Sequence, residues 1–534
     1  MPFAVTRRSF STCLMTLSAI ALIGLAEPVQ AQVTAFKQAV AEASFGNEAV
    51  ATFYRTRGYA PIFTGEQDGT RRAALLAALE TSDIHGLPAG RYDPETLKAA
   101  FAAAETARDR GRAEVLAAKM FLQFSTDIQT GAMTPGKIDS EIVRQVPRRD
   151  PVLQLQAFAK SSPQGFMKAL PPRTQQYNAL LAEKLRLEAT LGHGGWGPKV
   201  SAGKLEPGQS GDQVVALRNR LIAMGYMKRS ASGSFDRTLQ KAVQQFQIEH
   251  GLEPDGVAGP ATLAEINIEP QQRLSQVIVA MERERWSNVP LGERHILVNI
   301  TEYTARIIDN GKETFSTRVV VGSDQSGRRT PEFSDVMEYM VINPTWNVPR
   351  SIATKEYLPL LKKNPNAVSH LRVVDSRGRT VSRGSVNFAQ YTASSFPFSL
   401  KQPPSQSNAL GLVKFMFPNP YNIYLHDTPS KNLFARDQRA FSHGCVRLAE
   451  PFEFAYALLA RQTSDPEGLF HARLNSGSET RVNLEEPVPV HLQYRTAFAT
   501  AKGRISYRPD IYGRDARIWA AMQAAGVKLG DAGS

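Results

Sequence analysis

The hydrophobic periodicity of this chain changes near Arg285-Trp286, and that change excludes a purely helical or purely β fold. Before it, "RRAALLAALE", "PETLKAAFAAAETARD" and "AEVLAAKMFLQFSTDIQ" space apolar residues three and four apart, with Gly, Pro and Asp between the runs, as helices require. After it, "HILVNI", "TARIID", "TRVVVG", "VMEYMVI", "LRVVD", "GLVKFMF" and "NIYLH" are short β-rich runs separated by turn residues. At 534 residues the chain also exceeds what one core holds. The expected class is therefore multidomain α+β.

The periodicity and composition divide the chain further. Residues 32–191 read as a helical scaffold without a clustered nucleophile, base or metal ligand, and His85, in the turn-like "DIHGLPAGRYDP", reads as structural. Residues 192–203 are glycine-rich and read as a linker. Residues 204–267 hold three short helices: Val214, Leu217 and Leu221 share one face, Gly225 stops that helix, Ala242, Val243 and Phe246 mark the second, and Pro260 opens the third. A mostly antiparallel β domain is expected over 286–497. Its stretch 352–408, richer in Pro, Ser and Gln, reads as an inserted cap or lid. Residues 498–534 remain as a C-terminal segment.

The first 31 residues have the grammar of an export signal: Arg7 and Arg8, an apolar run from Leu14 to Ala26, and Val29-Gln30-Ala31 as a cleavage site. That run falls short of the roughly 18 to 20 residues a spanning helix needs, and no later segment is apolar for long enough. "TRRSF" resembles a twin-arginine signal, although ordinary Sec signals also begin with two arginines and the Sec route is the favoured one. The expected location is outside the cytoplasm, with no transmembrane helix in the mature chain. The formal charge of +13, less the +1 of the leader, favours an anionic partner such as a wall polymer or membrane surface. No basic tract interleaves with aromatics, which argues against nucleic acid.

Of the two cysteines, Cys13 lies in the leader, so Cys445 is the single thiol of the mature chain. It sits in "YLHDTPSKNLFARDQRAFSHGCVRLAEP" with two of the nine histidines close by. A lone thiol in an exported protein is a reactive thiol or an intermolecular bridge, with a buried inert thiol as the bland reading. At its ordinary pKa of about 8.5 a thiol is only slightly ionised at neutral pH, so nucleophilic chemistry needs a nearby imidazole. His426 ends a strand-like run and the following loop returns to "SHGC"; His443 is two residues from the thiol. Sequence leaves open which of the two takes the proton. Gly444 permits an unusual turn, and the Gly444 and Cys445 N–H groups are candidate oxyanion donors. The helix expected after Pro451 would present its N-terminus just downstream. Tyr424 alternates with His426 and shares its face, lining the site or packing, and Trp346 in "NPTW" reads as cleft wall or core. A zinc site from His426, His443 and Cys445 lacks a fourth ligand, so no metal is expected.

Together "H-x18-C" and "S-H-G-C" resemble the L,D-transpeptidase (YkuD-type) catalytic domain. "INPTWNVPRSI", "NALGLVKFMFPN", "YLHDTP", "RAFSHGCVRL" and the terminal "GRISYRPDIYGRD" are similar to its large periplasmic branch. "L-x-x-G-x-x-G-x-x-V-x-x-L", "A-V-x-x-F-Q" and "G-L-x-x-D-G-x-x-G-x-x-T" resemble the three-helix peptidoglycan-binding domain. The resemblance implies Cys445 as nucleophile, His426 as general base and later acid, and Ser442, His443 and Gly444 as the catalytic loop. Many members carry a hydrophobic residue and asparagine after the cysteine, where this chain has Val446-Arg447. The Arg447 fork either holds a substrate carboxylate or braces the loop through a salt bridge.

The implied reaction is periplasmic acyl transfer between peptidoglycan stem peptides: a cysteine thioester forms with release of D-alanine from a tetrapeptide, and a 3-3 cross-link results. The resemblance also implies acylation by carbapenems, no cofactor, glycan as a further partner and wall-synthesis proteins as candidate partners. Water or a free D-amino acid as acceptor would make the enzyme an L,D-carboxypeptidase or exchange enzyme. A Cys-His wall endopeptidase is chemically similar but does not account for the flanking motifs. A non-catalytic wall-binding protein would require an inert Cys445.

Overall fold

The computed structural model describes residues 27–529, with side chains from Thr34 onward. The leader expected over 1–31 lies, as far as residue 26, outside the described residues. The fold is mixed, helical in its N-terminal part and sheet-rich in its C-terminal part. The chain divides into two compact units.

The first unit draws on the described residues up to Glu80, on Tyr92–Phe124 and on Arg149–Lys168, and is helical. Its helix Glu48–Thr56 begins where the Asn47 side chain accepts the Val50 N–H, and it buries Val50, Phe53 and Tyr54. Aromatic rings fill the core: Phe121 stacks on Phe158 at 4.5 Å, and Phe63 lies 5.8 Å from Phe158. Glu114 is fully buried there. Burial raises its pKa, opposed by hydrogen bonds from the Tyr54 hydroxyl (2.6 Å) and the Ile62 and Thr64 N–H groups (both 2.7 Å). Those donors make a buried carboxylate tolerable and pin residues 62–64 to Glu114.

The second unit holds the rest. Helices Asp212–Ala223, Arg237–Glu249 and Pro260–Ile266 form the three-helix module, and their Leu217, Leu221, Val243, Phe246 and Leu263 enter one core. The glycine-rich stretch before it is packed rather than loose. Trp196 and Val200 are buried in the same core, and the Asn267 side chain brackets the Val200 N–H and C=O at 2.8 and 2.9 Å. Helix Pro270–Trp286 is buried on nearly every side, which its arginines survive by pairing. Arg283 grips Glu332 with two bonds of 2.8 and 2.9 Å and reaches Asp515 at 2.9 Å. The C-terminal helix Arg514–Ala524 adds Ile518 and Met522 to this core.

The strands of the unit are, in chain order, β1 (Arg294–Asn299), β2 (Thr304–Asp309), β3 (Lys312–Gly322), β4 (Phe333–Ile342), β5 (Trp346–Asn347), β6 (Arg372–Val374), β7 (Ser399–Gln402), β8 (Val413–Met416), β9 (Leu425–His426), β10 (Ala440–Ser442), β11 (Val446–Leu448), β12 (Thr480–Gln493), β13 (Ala497–Ala499) and β14 (Ile505–Tyr507). The main sheet runs β10-β3-β11-β9-β8-β4-β12-β1-β2, and β2 also pairs with β3, so the sheet closes on itself. Most pairings are antiparallel; β1 with β12, β9 with β11 and β3 with β10 are parallel. Closure leaves only the short β10 at an edge and puts alternate residues inside, among them Val319, Val321, Phe415, Leu425 and Val446. Strands β5, β7 and β6 form a separate sheet, and because β5 belongs to it the cap starts at Trp346, ahead of the expected 352. With helical turns between Arg350 and Lys363 it builds its own core of Trp346, Ile352, Leu361, Phe388 and Leu400, against which Tyr424 of the barrel packs.

Candidate active site

Strand register assembles the site. Parallel pairing sets Leu425 opposite Val446 and His426 opposite Arg447. Leu425 and Val446 point into the barrel core, so the alternation of β strands turns Tyr424, His426, Cys445 and Arg447 to the other face. That is the face under the cap, because the Tyr424 ring packs against the cap core and lies 5.6 Å from the His426 ring.

The loop before β11 is tightly specified. The Ser442 hydroxyl donates to the Cys445 carbonyl (2.5 Å) and accepts the Gly444 N–H (3.0 Å). Gly444 has φ +115°, a conformation that an L side chain adopts only under strain, and an added Cβ would stand 3.0 Å from the Ile423 side chain. The Gly444 N–H, expected as an oxyanion donor, is thus taken by Ser442. Among the described residues the Cys445 N–H keeps no intramolecular acceptor. Behind the loop, the Thr330 hydroxyl donates to the Gly444 carbonyl (2.7 Å) and accepts the Gly322 N–H (2.9 Å), while the Tyr512 hydroxyl donates to the Gly322 carbonyl (2.5 Å). The C-terminal segment thereby braces the loop that carries the thiol.

Cys445 is a free, half-buried thiol whose Sγ donates to the Asn422 carbonyl at 3.5 Å. Burial pushes its pKa up to about 11, against hydrogen bonds from Tyr424 and the charge of Arg447, which pull it down. His426 is fully buried, and its Nδ1 donates to the Asp427 carbonyl. Burial, with the positive charge of Arg447 next, lowers its pKa to about 3. At neutral pH the pair is a neutral thiol and a neutral imidazole rather than an ion pair. His443 turns away from the thiol: its Nε2 meets Glu356 of the cap at 2.8 Å, and Arg328 grips the same carboxylate oxygen at 2.8 Å. Trp346 stands in the cap core, edge-on to Tyr357 at 6.3 Å. Arg447 makes no ion pair among the described residues, and its Nε is buried without a partner. The salt-bridge brace expected as one role for it is therefore absent from this arrangement. No group of three or more His, Cys, Asp or Glu among the described residues is arranged to hold a metal ion.

Residues 293–469 match the family model of the L,D-transpeptidase catalytic domain, also called YkuD. The chain carries a YkuD-type L,D-transpeptidase domain. Residues 48–183 match a scaffold domain and 210–266 a domain described as "Putative peptidoglycan binding domain". A protein of Haemophilus influenzae, described as "Putative L,D-transpeptidase", is 34% identical over 242 residues. That match covers 45% of this chain and 48% of the relative, so the chain spans about half the length of that protein. Solved L,D-transpeptidase structures from Stackebrandtia nassauensis and Xylanimonas cellulosilytica align over 56% of this chain and 98% of theirs, at 16% and 14% identity. Their TM-scores are 0.22 and 0.16.

Sequence reasoning did not single out four residues around the transpeptidase-domain site: Glu356, Thr330, Tyr512 and Lys414. The first three reach it only through tertiary folding. Lys414 carried a readable signal, since it alternates with apolar Val413 and Phe415 and so had to face outward. Its pairing with His426 depends on register.

Proposed function

We propose that this protein is a peptidoglycan L,D-transpeptidase that works by a Cys445 thioester, and that it acts in the periplasm. The observation that carries the reading is one unpaired thiol sharing a strand-defined face with His426, beneath a cap and within the matched catalytic domain. The Cys445 sulfur attacks the carbonyl carbon at the L-centre of the third residue of a tetrapeptide stem. Its proton passes to His426 during the attack, because the resting pair is neutral. The Cys445 N–H is positioned to donate to the developing oxyanion. Collapse breaks the peptide bond, His426 gives its proton to the departing D-alanine amine, and a thioester remains. The side-chain amine of a second stem then attacks the thioester, His426 takes a proton from it, and the thiol is released with a 3-3 cross-link formed. In the resting structure the thiol bonds Asn422 O and His426 bonds Asp427 O, so thiol and imidazole must close on each other around the substrate, as catalytic hydrogen bonds often do.

The module over 210–266 supports a wall-docking role, and the net charge of +13 suits an anionic polymer. The test is incubation of the purified protein and its Cys445→Ala variant with disaccharide-tetrapeptide, with products read by mass spectrometry. Cys445-dependent dimers that have lost one D-alanine are expected. Cross-linking that survives Cys445→Ala would overturn the assignment, and tripeptide monomers alone would move it to an L,D-carboxypeptidase.

A further inference from the structure

Three neighbouring strands put two unpaired cations on either side of His426. On β11, Arg447 is the register partner of His426; on β8, Lys414 is the partner of His426 from the opposite side. Phe415, Leu425 and Val446 all point into the barrel core, so Lys414, His426 and Arg447 form one row on the outer face. The next strand continues the row with Val341 and then, on β12, Arg481.

The carboxylates of the neighbourhood are already engaged. Glu356 is held by His443 and Arg328, Asp427 by Lys431 (2.7 Å) and the Leu412 N–H (2.9 Å), and Glu479 by the Thr345 N–H (2.5 Å). Among the described residues neither Lys414 nor Arg447 has an ion-pair partner, and both are half-buried. Glu479 acts on Lys414 only as a more distant charge. Two partly desolvated like charges flanking one imidazole repel one another and cost stability in the free protein. An anion seated between them relieves that cost.

We propose that Arg447 and Lys414 form a clamp for a carboxylate of the donor peptide, closing over His426; this rests on the transpeptidase reading above. Adjacent strands lie about 4.8 Å apart, so the two backbones are about 10 Å apart, a gap that two long side chains can bridge through one carboxylate. Arg447 lies two residues, about 6.6 Å, along the strand from Cys445. A carboxylate within about a residue of the scissile bond falls in that reach, and the donor offers two: the terminal carboxylate of the leaving D-alanine and the side-chain carboxylate of the third residue. Binding there also has a chemical consequence. Arg447 and Lys414 both depress the basicity of His426, after the larger effect of burial. A bound carboxylate offsets their charge and makes His426 a better base only when a donor is seated.

The test separates binding from chemistry by using full-length Cys445→Ala protein, titrated calorimetrically with three disaccharide-tetrapeptides: the free diacid, the terminal carboxamide and the third-residue side-chain carboxamide. Adding Lys414→Met should weaken the free diacid about tenfold, the usual worth of one charge-assisted hydrogen bond. It should leave unchanged the affinity of the carboxamide that lacks the clamped group, which identifies the source, and Lys414→Arg should restore binding of the diacid. Lys414→Gln, with a thermal melt of each variant, guards against misfolding. Equal affinity losses for all three donors, no loss for any, or no measurable binding at all would overturn the clamp. Failure of the transpeptidase reading is registered separately, by wild-type turnover that does not depend on Cys445.

Discussion

A neutral resting thiol can be measured directly, because Cys445 is the only cysteine beyond residue 31. Burial pushes its pKa up to about 11, from the ordinary thiol value of about 8.5. At pH 7.5 that leaves about three thiolates in ten thousand, about three-hundredfold fewer than at 8.5. Nucleophilicity rises with pKa, with a Brønsted slope of about 0.4–0.5, so each thiolate is about thirteenfold more reactive and the net rate falls only about twentyfold. Alkylation by iodoacetamide, followed by intact mass between pH 6 and 10.5, should therefore be about twentyfold slower at pH 7.5 than for an unstructured peptide thiol. The slope is the sharper signature, since access to the reagent changes the height of the profile and not its shape. The logarithm of the rate should climb one unit per pH unit without levelling before about pH 10. Tyr424→Phe removes a hydrogen bond that holds the pKa down, so it should slow alkylation further at fixed pH. A thiolate-imidazolium pair would give a fast rate that is flat from acid pH to about 8, and that profile would refute the neutral-pair mechanism.

Two further outcomes follow from buried and half-exposed charges. His426 and His491 are buried with pKa values lowered by burial from 6.5 to about 3 and about 4, so the folded state keeps them neutral while the unfolded chain protonates them below 6.5. Their contribution is complete above pH 6.5 and is lost as pH falls towards those values, about 2 kcal/mol each by pH 5; the urea midpoint should drop between pH 7.5 and 5, less so in His491→Gln, and an unchanged midpoint would contradict it. Glu356→Gln removes the charge shared by His443 and Arg328, pairs that at 35% exposure of Glu356 are worth no more than about 1 kcal/mol each. Hydrogen exchange over 350–363 and 372–402 should quicken severalfold with the barrel strands unchanged, and unchanged exchange in the cap would show that Glu356 does not hold it.

How far the site could be read from sequence depended on how local its geometry is. Cys445, His443 and Gly444 are neighbours in the chain, and Tyr424 and His426 share a face by strand alternation alone, so those five were legible together. The relation of His426 to Arg447 and Lys414 comes from the pairing of three strands, two of them only two and three residues long. No local pattern encodes such a register. Composition also misled in one place. Glycines in "GHGGWGPKV" suggested a tether, but Trp196 and Val200 supply enough apolar surface to bury the stretch, and burial outweighs backbone freedom. The Pro, Ser and Gln content of 352–408 suggested an insertion, while the cap's own aromatic core, which includes Trp346, and the reach of Glu356 to His443 emerged only from the fold.

The two sides of the cleft are held by different physics, and the difference bears on turnover. Below the thiol, Gly322 is so enclosed that an added Cβ would stand 2.0 Å from the Arg328 carbonyl, and Thr330 and Tyr512 bind it and the Gly444 loop through buried hydrogen bonds. Breaking one of those leaves a buried polar group without a partner, at about 1–3 kcal/mol, so this side is the costlier of the two to open. Above the thiol, Glu356 ties the cap to the loop through an ion pair with Arg328 and a hydrogen bond with His443, both of which water already reaches and which can open and re-form at little cost. In the reaction proposed above, a donor stem must enter and lose D-alanine, and a second stem must then reach the thioester that the donor forms. Opening on the cap side would admit those exchanges, while the buried brace keeps Cys445 on the face it shares with His426.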